Sequence, residues 1–274
     1  VNGLRGGHSG EMINRGRANS SMLIGRALDV LDGVCDMRIV SVDGGLKDNA
    51  IPVESFAVVV VSDEKKAREA LEKFGDDLKN EYRTPDPDVT LCVESASPTV
   101  LPMTNADSEK VVTLLTCMPN GLIELSMDVA GLPQTSLNLG ILTTSENEVS
   151  ASFCVRSSVS SQKEMLKKRL TRMTALLGRT VSYFGEYPAW EFKSDSPILK
   201  LCADVYEKKF GKKPVITAIH GGLECGLFSE KMPGLDCVSF GPDIFDIHTP
   251  REKLSVSSLN RTWEFLLEVL KEMK

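Results

Sequence analysis

The side chains able to do polar chemistry in this chain gather in a few loops. Of 274 residues only three are histidine, so imidazole chemistry is confined to His8, His220 and His248. His8 lies in Gly3-Leu4-Arg5-Gly6-Gly7-His8-Ser9-Gly10, where the glycines let the backbone fold tightly and leave the ring projecting. It reads either as a group presented to a ligand or as a turn histidine bonding its own loop. His248 follows the apolar run Cys237 to Phe240, and open α/β sheets place ligands beyond the carboxyl end of a strand. Asp243, Asp246 and Glu252 are close enough in sequence to orient its second ring nitrogen, as a metal-ligating histidine requires. The alternative for His248 is a satisfied loop histidine.

His220 ends the run Val215 to Ile219 and adjoins Gly221-Gly222, where bare backbone N–H groups can approach a ligand. His220 itself reads as a supporting or packing residue. Cys225 beside it invites a thiolate nucleophile, but the pair lacks a third, orienting group. Arg156 ends an apolar strand, where a guanidinium is costly to bury unless it pairs. Its fork suits a carboxylate, which it grips with two parallel hydrogen bonds; the competing reading is a salt bridge at the strand end. Asn49, before Ala50-Ile51-Pro52, ends a Gly-containing turn and reads as a turn residue or as an amide donor to a ligand carbonyl.

The elements that must position these groups follow from periodicity. Ala18 to Asp32 carries Met22, Leu23, Ala27, Leu28 and Leu31 at helical spacing, and Met37 to Val42 and Ser55 to Val61 are strand-like. Asp63 to Tyr82 is a helix with Ala67, Leu71, Phe74 and Leu78 inward, and Val89 to Glu94 a closing strand. A similar order recurs after the bridge Ser95 to Asp107. It runs through a helix at Glu109 to Cys117, strands at Leu122 to Val129, Thr135 to Thr144 and Val149 to Arg156, a helix opened by a Ser161/Glu164 capping box and stopped by Gly178, and a strand at Thr180 to Phe184. Beyond Tyr187-Pro188-Ala189-Trp190 the pattern changes. Ser196 and Pro197 start a helix to Phe210, Val215 to Ile219 and Cys237 to Phe240 read as parallel-type strands, and Val256 to Met273 is a helix with Leu259, Trp263, Leu266 and Leu270 inward. Two strands and two helices do not make an α/β domain alone, so more of that sheet is expected upstream of Val1.

Composition bounds the function. With 42% hydrophobic and 26% charged residues the chain buries a real core, and a net charge of -6 argues against a nucleic-acid partner. Seven cysteines without a CxxC pair read as core residues of a reducing, cytoplasmic compartment. No apolar run reaches the length of about 18 residues that a membrane span needs.

The His8 loop, Asn49-Ala50-Ile51-Pro52, Gln134-Thr135-Ser136-Leu137-Asn138-Leu139-Gly140, His220-Gly221-Gly222-Leu223-Glu224-Cys225-Gly226, and Gly241-Pro242 followed by His248-Thr249-Pro250-Arg251-Glu252 together resemble the bacterial aminoacyl-histidine dipeptidases. These, also called peptidase D or bacterial carnosinase, are metallopeptidases of the di-zinc aminoacylase and carboxypeptidase type. The resemblance covers the whole chain in order. It implies an α/β fold with an α+β lid. Residues 1–186 would be the lid or dimerisation domain, built of two α-on-β ferredoxin-like units at about 1–100 and 108–186. Residues 187–274 would be the C-terminal part of the metallopeptidase catalytic domain.

The resemblance also implies roles. His248 would ligate zinc, His8 would donate to the oxyanion or scissile carbonyl, and Asn49, Arg156 and Gly222 would bind substrate, Arg156 through the free carboxylate of a dipeptide. The family's other zinc ligands and its general-base carboxylate have no counterpart here, and Glu224 does not replace them; the chain is therefore expected to be a fragment without turnover by itself. The expected activity of the complete protein is hydrolysis of Xaa-His, β-alanyl-histidine and other short unblocked peptides at two zinc ions, with cobalt or manganese as alternatives, in a cytoplasmic enzyme that could pair as a homodimer. The alternatives are an amidohydrolase of N-acyl amino acids or tripeptides, and a non-catalytic peptide-binding or assembly module.

Overall fold

The computed structural model describes residues 1–98, 100–217, 223–245 and 252–273. These form two compact units, one from Val1 to Gly185 and one comprising the described residues from Glu186 onward. Both helices and strands are present, in keeping with the expected mixed α/β class.

In the first unit the chain order is β1 (Gly7–His8), α1 (Ser20–Asp32), β2 (Met37–Gly44), β3 (Ala50–Ile51), β4 (Ser55–Val61), α2 (Glu64–Glu81), α3 (Asn105–Cys117), β5 (Gly121–Leu125), β6 (Pro133–Thr144), β7 (Val149–Ser157) and α4 (Ser160–Leu176). Strands β4, β2, β6 and β5 are hydrogen-bonded in that order, and β7 runs antiparallel along the other edge of β6. The core lies between sheet and helices. Leu23 and Leu28 of α1, Phe74 and Leu78 of α2 and Leu115 of α3 bury against Ile39 and Val42 of β2 and Leu139 and Leu142 of β6. Helix α1 carries Gly25 in its interior, where glycine costs about 1 kcal/mol of helix propensity. A Cβ there would meet the Cβ of Leu115 at 2.5 Å, so the glycine is what lets α3 cross closely.

The pairing of β6 is interrupted on one edge. Its residues Pro133 to Leu137 pair with β5, and Leu142 pairs with Gly44 of β2. The stretch between them has backbone groups that must be satisfied in some other way. Asn120 accepts from the Leu139 amide at 2.7 Å, and the buried Asn19 donates to the Leu139 carbonyl at 2.9 Å. At Gly140 β6 bulges against β7, and the turn at residues 45–48 lies directly on it. A Cβ on Gly140 would meet the Asp48 backbone at 2.4 Å, and Gly45 takes a φ of +71 to clear the Gly140 carbonyl.

The second unit contains α5 (Pro197–Phe210), α6 (Glu224–Lys231), the short pair β8 (Ile244–Phe245) and β9 (Lys253–Leu254), and α7 (Val256–Glu272). Ser196 caps α5 as its sequence indicates, accepting from the Leu199 amide at 3.1 Å. Asp236 then accepts from the Ser196 hydroxyl and the Ile198 amide, tying the cap to a distant loop. Helices α5 and α7 pack through Cys202, Val205, Phe265 and Val269, with the Phe265 ring 4.9 Å from Phe240 and 5.6 Å from Tyr206.

Several elements differ from expectation. The inward face of α7 is Ser258, Phe265 and Val269, while Leu259, Trp263 and Leu270 are 43%, 59% and 55% exposed. The helix is apolar over a wide arc, and contact with α5 selects the half that the spacing of leucines does not mark. Helix α4 starts at Ser160 with Val159 as its cap residue, so Ser161 is already inside the first turn and makes no capping box; the Ser157 hydroxyl accepts from the Val159 amide instead. Residues 180–184, 215–217 and 237–240 form no strand among the described residues, and of Val89 to Glu94 only Thr90 forms a bridge, to Asn2. A strand exists only where a neighbour supplies its ladder, which apolar content alone does not reveal. Helix α6 was not foreseen.

Replacing Asn138, which is 1% exposed, with Ala should lower unfolding free energy by roughly 3 kcal/mol, because the Asn19 amide and the Asp48 and Ala50 carbonyls lose a partner together. Urea denaturation of the two proteins checks this; a loss under about 1 kcal/mol would show that other contacts hold the turn.

Candidate functional site

The loop that carries His8 is anchored at both ends by one carboxylate. Asp86, fully buried, accepts from the Arg5 amide through Oδ1 and from the Ala18 amide through Oδ2, each at 2.7 Å. Arg17 adds a donation from its guanidinium to the Gly6 carbonyl. Within this closed loop β1 pairs antiparallel with β3, placing Gly7 opposite Ile51 and His8 opposite Ala50. The Ser9 amide donates to the Asn49 carbonyl at 2.9 Å, and the Glu11 and Met12 amides turn back onto the His8 carbonyl. The backbone around His8 is therefore fixed, while its side chain remains exposed.

Asn49 is held from beneath. The Asn138 carboxamide nitrogen donates to the carbonyls on either side of it, to Asp48 at 2.9 Å and to Ala50 at 2.8 Å. Its oxygen accepts from Asn19, whose own oxygen caps α1 by accepting from the Ser21 and Met22 amides. One chain of carboxamides thus links the start of α1, the middle of β6 and the Asn49 turn.

Arg156 comes to the same region from β7. Ser136 pairs with Arg156 and Asn138 with Cys154, so Arg156 and Cys154 project from the same face of β7 two residues apart. Burial pushes the Cys154 thiol above its usual range; the Arg156 guanidinium beside it and Ser9 pull the other way, and Asp48 adds to the rise. Those neighbours place Cys154 among the His8 loop, the Asn49 turn and Arg156. The first unit so brings together three of the groups singled out in the sequence: an exposed imidazole, a carboxamide and a guanidinium. In chemical terms the cluster offers hydrogen-bond donors to a carbonyl oxygen and a fork for a carboxylate.

Gly222 and His248, with His220 and Asp246, lie outside the described residues. Of the candidates to orient His248, Asp243 has its carboxylate 3.6 Å from Arg261. Among the described residues no group of three or more His, Cys, Asp or Glu side chains is placed to hold a metal ion. Burial raises the Cys225 thiol above its usual range and the neighbouring Cys237 and Glu224 raise it further, which disfavours the thiolate that a nucleophile needs.

Asn19, Asn138, Asp86 and Cys154 are the supporting residues that sequence reasoning missed. Asn138 carried a signal, since an asparagine between two leucines of an otherwise alternating strand is disfavoured there and implies a bonded, buried amide. Asp86 between two prolines carried only the signal of a turn.

The raised thiol makes Cys154 slow toward alkylation at neutral pH, because the thiolate fraction falls as the pKa rises. Exposed Cys92 and Cys117 should label first with iodoacetamide at pH 7.5, and Cys154 should gain rate only on going well alkaline. Mass spectrometry of time-resolved digests reads this; early labelling of Cys154 would place it outside the cluster.

The chain was compared with known proteins. The model of "Peptidase family M20/M25/M40" matches residues 17–272. The cytosol non-specific dipeptidase of Escherichia coli (strain K12) is 34% identical over 275 aligned positions, which take in 100% of this chain and 57% of the relative. The crystal structure of an aminoacylhistidine dipeptidase from Vibrio alginolyticus matches with a TM-score of 0.90 at 36% identity, covering 100% of this chain and 56% of that one. The chain thus spans a little over half the length of the relatives it matches. A family match over nearly all of its residues, together with a shared fold at this level of identity, means that the chain belongs to peptidase family M20/M25/M40.

Proposed function

We propose that the protein hydrolyses dipeptides with free termini, Xaa-His and β-alanyl-histidine among them, as a metal-dependent peptidase of the cytoplasm. The observation that carries this reading is the gathering of His8, Asn49 and Arg156 around the Asn138 keystone in one unit. A dipeptide presents a carbonyl and a carboxylate a few ångströms apart, and these are the two groups that such a cluster can grip. The family match and the dipeptidase names of both relatives point the same way.

In this reading residues 1–186 act as the lid domain and 187–274 belong to the catalytic domain. Arg156, half-buried beside Cys154 on one face of β7, binds the C-terminal carboxylate through its guanidinium fork. His8 and the Asn49 amide donate to the scissile carbonyl oxygen, where negative charge grows as the attacking oxygen adds to the carbonyl carbon. His8 projects from a backbone fixed by β1 and Asp86, so only its side-chain torsions remain to be set when substrate binds. Gly222 adds a backbone donor to the substrate. A bound metal, zinc by expectation, would supply the attacking hydroxide, with His248 among its ligands. The described residues show no donor set for it, and no step is assigned through it.

Two measurements test the reading. Zinc content and β-alanyl-histidine hydrolysis are measured for the 274-residue chain and for a longer form that joins it to any coding sequence found upstream of it. Zinc-dependent turnover in the longer form is expected; a fully metallated longer form inactive on every unblocked dipeptide would overturn the assignment. In the active form, Arg156→Ala should weaken kcat/KM for free dipeptides by roughly 2 to 5 kcal/mol while sparing their C-terminal amides. Equal losses on both substrates would remove Arg156 from the carboxylate site.

A further inference from the structure

Behind the His8 loop the first unit carries a depression lined by Arg5, Arg15 and Arg17, with Met12, Thr84 and Pro85 completing its wall. Three arginines lining one space is a local reversal in a chain whose net charge is -6. Among the described residues none of the three pairs with a carboxylate. The Arg5 and Arg15 side chains make no hydrogen bond, and Arg17 donates only to the Gly6 carbonyl, leaving the rest of its fork unspent. Glu11, exposed and in no ion pair with the three among the described residues, is the acidic group nearest in the chain, while the Asp86 carboxylate is buried and committed to the Arg5 and Ala18 amides. The exposed Arg5 and Arg15 keep their guanidinium donors without a bonded carboxylate, with Thr84 in the same wall.

Like charges held together repel, and natural surfaces usually intersperse acidic groups among them. Arg is also the side chain that binds phosphoryl oxygens with paired, directional hydrogen bonds. We propose that this depression is an anion site for a phosphate group, separate from the substrate groups described above. A doubly charged tetrahedral oxyanion matches three forks better than a single carboxylate does, since one planar carboxylate is satisfied by one fork. The depression, of about 580 Å³, is open to solvent and larger than a phosphate ion. Because Arg17 also holds the Gly6 carbonyl, a bound anion would draw on the same side chain that steadies the His8 loop.

The test is isothermal titration of the full chain with inorganic phosphate, and separately with acetate, at constant ionic strength set by chloride so that screening does not change. Saturable phosphate binding in the millimolar range or tighter is expected. It should weaken at least about tenfold in Arg15→Gln and in Arg5→Gln, with acetate much weaker. Neither side chain makes a hydrogen bond within the described fold, so both variants should fold, and circular dichroism with thermal melting verifies this. Phosphate should raise the melting temperature of the parent chain and leave that of the Arg5→Gln/Arg15→Gln double variant unmoved. Binding unchanged in the variants, acetate binding as tightly as phosphate, or no saturable binding of either anion would each overturn the proposal. The measurement reads binding and not turnover, so its result is independent of the dipeptidase reading.

Discussion

The first unit depends on how one edge of β6 is satisfied between its two neighbours. From Asn138 to Ile141 this edge has lost β5 and has not yet met β2, and buried peptide groups cannot be left unbonded at a cost below about 1 to 3 kcal/mol each. Side-chain amides fill the gap: Asn120 takes the Leu139 N–H, Asn19 supplies the Leu139 carbonyl, and the turn at residues 45–48 lies over Gly140. A repair of the sheet thereby becomes a platform. The Asn49 turn is pinned to it by Asn138, and β3 follows at once to receive β1 and His8.

The economy of this arrangement lies in shared groups. Asn19 caps α1 with its oxygen and mends β6 with its nitrogen, so the direction of the helix and the position of the platform are coupled. Asp86 closes the loop from Arg5 to Ala18 with two charge-assisted bonds, which restrains a glycine-rich segment that would otherwise lose much entropy on ordering. Rigid backbone beneath exposed polar side chains is the condition under which donors can be preorganised for a ligand. The same closure leaves Arg17 spanning the gap between the His8 loop and the arginine-lined depression.

Membership of the M20/M25/M40 family gives this platform its context, and the second unit follows a different logic. Its α5 and α7 are locked by an aromatic cluster around Phe265, and the Asp236 carboxylate fastens the start of α5. The apolar arc of α7 that includes Trp263 faces away from this cluster. Helices can form and pair on local information and one contact face, whereas the apolar segments near Val215 and Val238 have no ladder among the described residues.

The sequence by itself determined the helices α1, α2, α3, α5 and α7 to within a few residues, the strands β2, β4, β6 and β7, the mixed α/β class and, through the glycine-rich His8 loop and the motifs around it, the family. Those signals are local: apolar period, caps, turn glycines and residues contiguous in the chain. Only the tertiary structure decided which half of α7 is buried, that α4 starts without a Ser161/Glu164 box, and that Asn19, Asp86, Asn138 and Cys154 support His8, Asn49 and Arg156. Each of these is a pairing between residues far apart in the chain, and a buried polar group finds its partner only when the fold has excluded water from both.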